Sequence, residues 1–145
     1  SLGGVAATTS VTVIQESTCI LPTILTTALP NAPVGEVYLE TISATGSVPL
    51  EFSVASGTLP PGLTLDSVSG EIFGIPTTAG TFDFTILVAN ECGFDTQPLS
   101  ITVCDLPTIT TTTLPDGSEA FEGLPYSATI SAIGSAPIIF SISAG

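Results

Sequence analysis

The stretch 59–81 constrains the fold of this chain more than any other, because turn-forming residues interrupt it at short intervals. Pro60 and Pro61 fix the backbone dihedral φ and lack N–H donors, so this point cannot lie inside a central β-strand. The glycines that follow suit positions with positive φ or close backbone approach; they are Gly62, Gly70, Gly74 and Gly80. The stretch therefore predicts two short extended segments separated by turns, on a path that crosses from one sheet edge to another.

Apolar residues alternate with polar ones on both sides of this stretch, as they do in half-buried β-strands. No segment has the periodicity of a helix, and antiparallel strands joined by frequent turns indicate an all-β sandwich. The predicted strands are 23–27, 36–44, 50–54, 81–89 and 96–103, with short pieces at Leu63 and Ile72. The predicted core residues are Tyr38, Ile42, Phe52, Val54, Leu63, Leu65, Ile72, Phe82, Phe84, Ile86, Val88, Leu99 and Ile101.

Parts of the sequence occur twice, which indicates tandem repeats. Residues 19–24 (CILPTI) match residues 104–109 (CDLPTI), an offset of 104 − 19 = 85. Residues 38–57 match residues 126–145, an offset of 126 − 38 = 88. The second copy therefore carries three extra residues (88 − 85) between the two matched parts.

The repeat pattern divides the chain into three units. Residues 1–18 contain SVTV, which matches SITV at 100–103, so we interpret this unit as a lone strand resembling the last strand of a preceding repeat, plus a linker. Residues 19–103 form a complete sandwich. Residues 104–145 supply the first half of a second sandwich, to be completed by missing residues or by another subunit.

The motifs of the central stretch resemble those of a known family. LPPGL at 59–63, Gly70 and GIPTTAGT at 74–81 are followed by an alternating strand. This order is similar to the LPxGL…G…GTPTxAG pattern of the immunoglobulin-like (cadherin-like) tandem repeats of bacterial surface proteins, with Ile75 where that family usually has Thr. The resemblance covers about 19–103 and implies an antiparallel immunoglobulin-like β-sandwich. It implies little about function, because such sandwiches are scaffolds for many tasks.

The topology implied by the resemblance also bears on the cysteines. Cys92 falls in the turn before the last strand and Cys104 at the far end of that strand, roughly 33 Å away if each residue rises about 3.3 Å. Bridged Cα atoms must lie within about 7 Å of each other, so these two cannot pair. Cys19 begins the first strand at the same pole as Cys92, which predicts a Cys19–Cys92 disulfide and leaves Cys104 for a partner outside this chain. The alternative is three unpaired buried thiols.

The charge composition excludes several functions. All 13 charged residues are Asp or Glu, and Lys, Arg and His are absent. Side-chain salt bridges cannot form, so stability must come from core burial, backbone ladders and any disulfide. A formal net charge of −13 without a basic patch argues against nucleic acid and anionic membrane surfaces, and no apolar run is long enough for membrane insertion. Without an imidazole base or a Schiff-base amine, we do not expect an enzyme.

No cofactor is predicted, and the one metal considered is structural calcium. Asp116, Glu119 and Glu122 lie in the inserted turn of the second copy and carry the oxygen ligands that calcium prefers. They do not form an ordered D-x-D-x-D loop, which makes them a minor candidate site.

The half-sandwich at 104–145 would expose apolar residues that require a partner. Either the chain is a window from a longer array of repeats, or strand exchange between copies completes each sandwich. The candidates for the exchanged strand are Val11 and Val13. In both cases the expected partners are copies of the chain itself or adjacent repeats.

These features predict a structural repeat of an extracellular fibre, stalk or filament, with sandwiches stacked in series at the cell surface. A disulfide implies an oxidising, extracellular location. The alternative is an adhesin or a glycan- or protein-binding module, which an exposed aromatic platform would favour. The aromatic candidates are Phe73, Phe94, Phe121 and Tyr126.

Overall fold

The computed structural model describes residues 3–4, 6–13, 18–114 and 122–144. Regular structure in these ranges consists of strands, and no helix there is long and apolar enough to cross a membrane. The strands are β1 Thr23–Ile24, β2 Ala32–Pro33, β3 Tyr38–Thr41, β4 Ala44–Thr45, β5 Glu51–Gly57, β6 Leu63–Leu65, β7 Glu71–Gly74, β8 Gly80–Asn90, β9 Gly93–Cys104, β10 Thr108–Ile109 and β11 Ala132–Ile133.

Two sheets contain most of these strands. One has four strands in the order β2-β9-β8-β5, and the other has three in the order β3-β7-β6. All pairings within them are antiparallel except that of β2 with β9, which is parallel. The short pairs β1–β4 and β10–β11 are separate and also antiparallel. The predicted all-β, antiparallel architecture is confirmed.

The strand predicted at 36–44 is wrong as a single element, because the chain leaves the sheet after β3. The N–H of Ile42 donates to the Gly70 carbonyl (2.8 Å), and the N–H of Ser43 donates to Thr26 Oγ1 (2.8 Å). The backbone therefore turns toward two different partners before β4 begins. The parallel strand β2 was not predicted, since it consists of two residues, one of which is Pro33.

The buried residues of both sheets form one hydrophobic core. Its most deeply buried members include Ile42, Ile72, Ile86 and Ile101, which confirms most of the predicted core. Val54 is a wrong prediction: it lies on β5 at the edge of the four-stranded sheet, next to a register shift, and is 36% exposed. Leu65 and Phe82 are only partly buried, whereas the unpredicted Ile24, Ala32 and Val103 are buried.

The LPPGL turn brings two glycines into direct backbone contact. The N–H of Ile75 donates to the Gly62 carbonyl (3.2 Å), and the N–H of Thr77 donates to the Pro61 carbonyl (2.9 Å). Gly62 and Gly74 have φ of 95° and 140°, values that favour glycine. A Cβ on Gly74 would overlap the Gly62 carbonyl oxygen, so this crossing requires glycine on both sides.

We expect Gly74→Ala to lower the free energy of unfolding by about 3 kcal/mol or more, because a positive φ and a backbone overlap act together. Urea denaturation followed by circular dichroism measures the change. The matched control is Gly35→Ala, which also has positive φ (80°) but has no atom within 4 Å of the added Cβ. That variant should lose only about 1 kcal/mol. Equal losses in both variants would contradict the close-approach argument.

Candidate functional site

A disulfide joins the beginning of the first copy to the turn between the two longest strands, β8 and β9. Cys19 and Cys92 are bonded, with their Cα atoms 5.7 Å apart and a sequence separation of 73. Cys92 lies between β8 and β9, and Asn90 pairs with Gly93 across this tight turn. The structure therefore brings together the two cysteines selected from the sequence.

The Asn90 side chain organises the backbone around this bond. Its Nδ2 donates to the carbonyls of Ile20 (2.8 Å) and Ser47 (2.9 Å). Its Oδ1 accepts from the N–H groups of Cys92 (2.9 Å) and Gly93 (3.2 Å). One amide thus fixes the turn and holds two distant loops against it. This role of Asn90 was not predicted from the sequence, although an Asn that opens a tight turn is a typical signal for such bonds.

Asp95 makes a second link between the first strand and β9. The N–H of Ile24 in β1 donates to Asp95 Oδ2 (2.8 Å), although 71 positions separate the two residues. Next to it, a Cβ on Gly93 would lie 2.7 Å from Leu21 Cδ2, so the backbone turn packs directly on the segment after Cys19. The disulfide, Asn90 and Asp95 together hold the beginning of the repeat to one end of the β8–β9 hairpin.

In both copies, hydrogen bonds hold the beginning of the copy against a later loop. We call this contact the closure, and the second copy forms the same closure as the first. In the first copy, the N–H of Ile20 donates to Ser47 Oγ (2.9 Å), and the N–H of Ser47 donates to the Ile20 carbonyl (3.0 Å). In the second, the N–H of Asp105 donates to Ser135 Oγ (2.8 Å), and the N–H of Ser135 donates to the Asp105 carbonyl (3.2 Å). These positions differ by the offsets of 85 and 88 found in the sequence.

The strand pairs and glycines of the two closures correspond as well. Thr23 pairs with Thr45 between β1 and β4, and Thr108 pairs with Ile133 between β10 and β11. Each closure also contains one glycine with nearly the same φ, which packs on a proline. These are Gly46 (142°) on Pro22 and Gly134 (143°) on Pro107. Residues 105–111 and 131–137 thus repeat a local structure of the first sandwich.

Apolar side chains that are buried in the first copy are exposed in the second. In the first copy β7, β8 and β9 contribute to the core that covers them, and no equivalent strands occur in the described part of the second copy. The exposed fractions are 8% for Ile24 against 63% for Ile109, 1% for Ile42 against 48% for Ile130, and 6% for Phe52 against 52% for Phe140. The local closure therefore forms without the core that accompanies it in the first copy.

Within the described residues, the further candidates Val11, Val13 and Cys104 take part in no strand pairing with each other and no disulfide. Val11 and Val13 are more than four-fifths exposed and belong to no strand. Cys104 ends β9 as a free, half-buried cysteine. Strand exchange by the two valines and an external partner for Cys104 stay predictions.

The candidate calcium ligands fall largely outside the described residues. Asp116 and Glu119 lie there, whereas Glu122 is described and exposed. Within the described ranges, no group of three or more His, Cys, Asp or Glu side chains is arranged to hold a metal ion. Calcium binding by the inserted turn stays a prediction.

In the described part of the chain, two ionisable groups have shifted pKa values. Burial, aided by the nearby charge of Glu40, raises the pKa of Tyr38 to about 12. Its hydroxyl donates to the Pro30 carbonyl (3.2 Å). Hydrogen bonds from the backbone N–H groups of Ser69 (2.8 Å) and Val68 (2.9 Å) hold the pKa of Asp66 below its usual range. Both shifts arise from contacts that form on folding.

Two of the aromatic candidates for a ligand platform, Phe73 and Phe94, lie on different sheets. Phe73 is on β7 in the three-stranded sheet and Phe94 is on β9 in the four-stranded sheet; both are exposed. Phe121 lies outside the described residues, and Tyr126 is exposed in the second copy. A surface depression of about 510 Å³ includes Phe73, Leu39 and Ile75 among its lining residues. Phe73 and Phe94 therefore do not share one aromatic platform.

One family model matches the chain. Its description is "Putative Ig domain", and the match covers residues 21–104, which is the repeat closed by the disulfide. No curated protein matches the chain. The family match and the all-strand structure confirm the immunoglobulin-like sandwich and the resemblance found in the sequence. Together with the disulfide, they are typical of extracellular or cell-surface proteins.

Solved structures with the same fold include parts of much longer proteins. A putative α-galactosidase from Bacteroides fragilis NCTC 9343 is 30% identical, with a TM-score of 0.51, over 57% of this chain and 17% of that one. A putative α-galactosidase/melibiase from the same organism is 31% identical, with a TM-score of 0.51 and the same shares. An endo-fucoidan hydrolase of glycoside hydrolase family 107 is 21% identical, with a TM-score of 0.52, over 68% and 16%.

The chain spans less than a fifth of the length of each of these three proteins. The activities in their descriptions therefore belong to whole proteins that are far larger than the shared fold. Immunoglobulin-like domains are generally not catalytic, since the sandwich is a scaffold that carries function only where a site is built on it.

We expect Cys92→Ser to lower the free energy of unfolding by about 4 kcal/mol, because the Cys19–Cys92 bond closes a loop with a sequence separation of 73. Urea titrations with and without reductant measure the loss. Cys104→Ser is the matched control: it removes a cysteine and leaves the bond, so its stability should still depend on reductant. Equal stability of the oxidised and reduced chains would contradict the prediction.

The raised pKa of Tyr38 predicts a loss of stability in alkali. Below pH 10 both the folded and the unfolded chain keep the phenol proton, so stability does not change through this group. As the pH rises from 10.0 toward about 12, the unfolded state loses the proton first, and the free energy of unfolding falls. Tyr126→Phe leaves Tyr38 as the sole tyrosine, and its phenolate absorbance should titrate near pH 12. A midpoint near 10, or the same alkaline loss in Tyr38→Phe, would contradict this assignment.

Proposed function

Because the chain belongs to the "Putative Ig domain" family, we propose that it is a structural repeat of an extracellular fibre, stalk or filament. In this function the sandwiches stack in series along the cell surface or away from it. The observation that supports the proposal most strongly is the second closure at 105–111 and 131–137, which repeats the hydrogen bonds of the first at the offsets of the sequence repeat.

The second copy needs a partner of defined structure. Ile109, Ile130 and Phe140 are exposed, and their counterparts in the first copy are buried in a core to which β7, β8 and β9 contribute. We therefore propose that a segment equivalent to 58–104 completes the second sandwich, supplied by the same polypeptide or by another subunit. The same segment would bring a cysteine to Cys104, as Cys92 reaches Cys19 in the first copy.

The charge of the chain favours a linear arrangement. With 13 carboxylates and no cationic side chain, two copies placed side by side repel each other and cannot form side-chain salt bridges. Contacts at the ends of a sandwich, made through apolar side chains and backbone hydrogen bonds, do not need complementary charge. Stacking in series is thus the arrangement that this composition opposes least.

The alternative function is that of an adhesin or a glycan- or protein-binding module. The depression beside Phe73 is also lined by Asp66 and Glu71, together with apolar residues, which is a composition compatible with a ligand. The separation of Phe73 from Phe94 on different sheets makes this alternative the weaker one.

The proposal is tested by appending a second copy of residues 58–104 after the last residue of the full chain. The junction is continuous, because residue 145 corresponds to residue 57. We expect amide hydrogen exchange of residues 126–142 to slow to the level of residues 38–54, and the maximum dimension in small-angle X-ray scattering to grow by roughly 40 Å, about the length of one twelve-residue strand.

A matched control carries Cys92→Ser in the appended copy only. It should show the same protection of 126–142 but keep Cys104 reactive to a thiol reagent, whereas the unmodified extension should render Cys104 unreactive until reductant is added. If the extended chain shows no added protection and no added length, the proposed repeat is wrong. Binding of the original chain to a glycan array would favour the alternative function.

A further inference from the structure

We propose that the Cys19–Cys92 disulfide and strand β9 form one covalent path for tension through the repeat, which makes the oxidised repeat inextensible. This inference rests on the proposed function in an array under tension. It assigns a mechanical role to residues that otherwise serve stability. The path is defined by the positions of Cys19, Cys92 and Cys104 along the chain and in the fold.

Tension that enters the repeat from its N-terminal side reaches Cys19 first. There the disulfide offers a step of 5.7 Å between Cα atoms, whereas the backbone route to Cys92 covers 73 positions. The covalently shorter route carries the force once the chain is taut. The tension therefore leaves Cys92 along β9, and residues 20–91 lie outside the path.

The remainder of the path is already extended before any force acts. β9 runs for twelve residues from Gly93 to Cys104, and its pairing with β8 is unbroken from Gly93 to Val103. It is an inner strand, with β8 on one side and β2 on the other. A strand in this conformation lies within a few tenths of an ångström per residue of the longest reach of a polypeptide. Pulling along it gives almost no further length.

Hydrogen bonds around Cys19 limit the movement of the chain at the beginning of the path. Asn90 Nδ2 donates to the Ile20 carbonyl (2.8 Å), and the N–H of Ile24 donates to Asp95 Oδ2 (2.8 Å). These bonds hold the segment after Cys19 against the β8–β9 hairpin, so the residues next to the disulfide are fixed in the folded repeat. The sandwich is attached beside the path through the β8 and β2 edges of β9.

The end of the path coincides with the beginning of the next one. Cys104 is the last residue of β9, and it corresponds to Cys19 at the offset of 85. If the second copy is completed as proposed above, tension leaving the first repeat at Cys104 enters a second disulfide at once. A series of such repeats would carry tension through disulfides and single strands, with each sandwich unloaded beside them.

The contour length between Cys19 and Cys104 differs greatly between the route through the disulfide and the route through the backbone. With the disulfide intact, the longest path from Cys19 to Cys104 is about 50 Å, close to the roughly 40 Å that β9 already spans. With the disulfide broken, the 85 positions between them reach about 300 Å. Unfolding of the repeat should thus add about 10 Å in the first case and roughly 250 Å in the second.

Single-molecule stretching of the full chain between two handle domains of known length tests the inference. We expect the oxidised chain to show no length increase above about 10 Å from residues 19–104, and the same chain in reductant to gain roughly 250 Å. Cys104→Ser should behave as the original chain. Cys92→Ser should have the long contour under all conditions, and this reading holds even if the variant does not fold, because contour length depends only on covalent connections.

A core variant distinguishes the covalent path from resistance by the sandwich itself. Ile86 is fully buried, so Ile86→Ala should lower the thermal stability of both forms of the chain. Under tension it should lower the unfolding force of the reduced chain and leave the length of the oxidised chain unchanged. A gain of roughly 250 Å in the oxidised chain would overturn the inference. That result would leave the proposed array intact, because the extension experiment with residues 58–104 tests the array separately.

Discussion

The pairing of β8 with β9 is the interaction on which the rest of the structure depends. Eleven residue pairs, from Gly80–Val103 to Asn90–Gly93, join the two strands. The alternate residues of both strands that face inward supply much of the core. β5 and β2 add to the two sides of this hairpin, and the disulfide at its turn holds the start of the repeat. The covalent path proposed for tension includes β9, one strand of the same hairpin. The hairpin would therefore both stabilise the fold and carry the tension.

Because the protein has no cationic side chains, its carboxylates and amides form hydrogen bonds with the backbone and no side-chain ion pairs. In place of ion pairs, they accept hydrogen bonds from backbone N–H groups: Asp66 in the β6–β7 turn, Asp95 toward β1, and Asn90 in the β8–β9 turn. The hydrogen bonds to the charged carboxylates of Asp66 and Asp95 are stronger than those to the neutral amide of Asn90, and none of them requires a partner charge as an ion pair does. Three side chains thereby fix turns and strand ends that a Lys- or Arg-containing protein could secure with salt bridges.

A comparison of the two copies distinguishes the structure that a local segment can form from the burial that requires a complete core. The second closure at 105–111 and 131–137 keeps the hydrogen bonds, the strand pair and the glycine packing of the first. Its apolar side chains are nevertheless exposed, because burial depends on strands that come later in a repeat. The proposed completion by a segment equivalent to 58–104 follows from this division. The larger proteins that share the fold show that such a sandwich also occurs as a minor part of a long chain.

By itself the sequence determined the sandwich, its two long strands and most of the core, because alternation with a period of two residues places one apolar set inward along a whole strand. The LPPGL turn was also predictable, since proline restricts φ and glycine permits positive φ. The disulfide was predictable from the positions of the cysteines along the expected strands. Only the tertiary structure decided the exposure of Val54, the two-residue strand β2 and the bonds of Asn90 and Asp95. An edge position, a strand too short to show a period and hydrogen bonds between residues some 70 positions apart all depend on which distant segments become neighbours, and no local pattern contains that information.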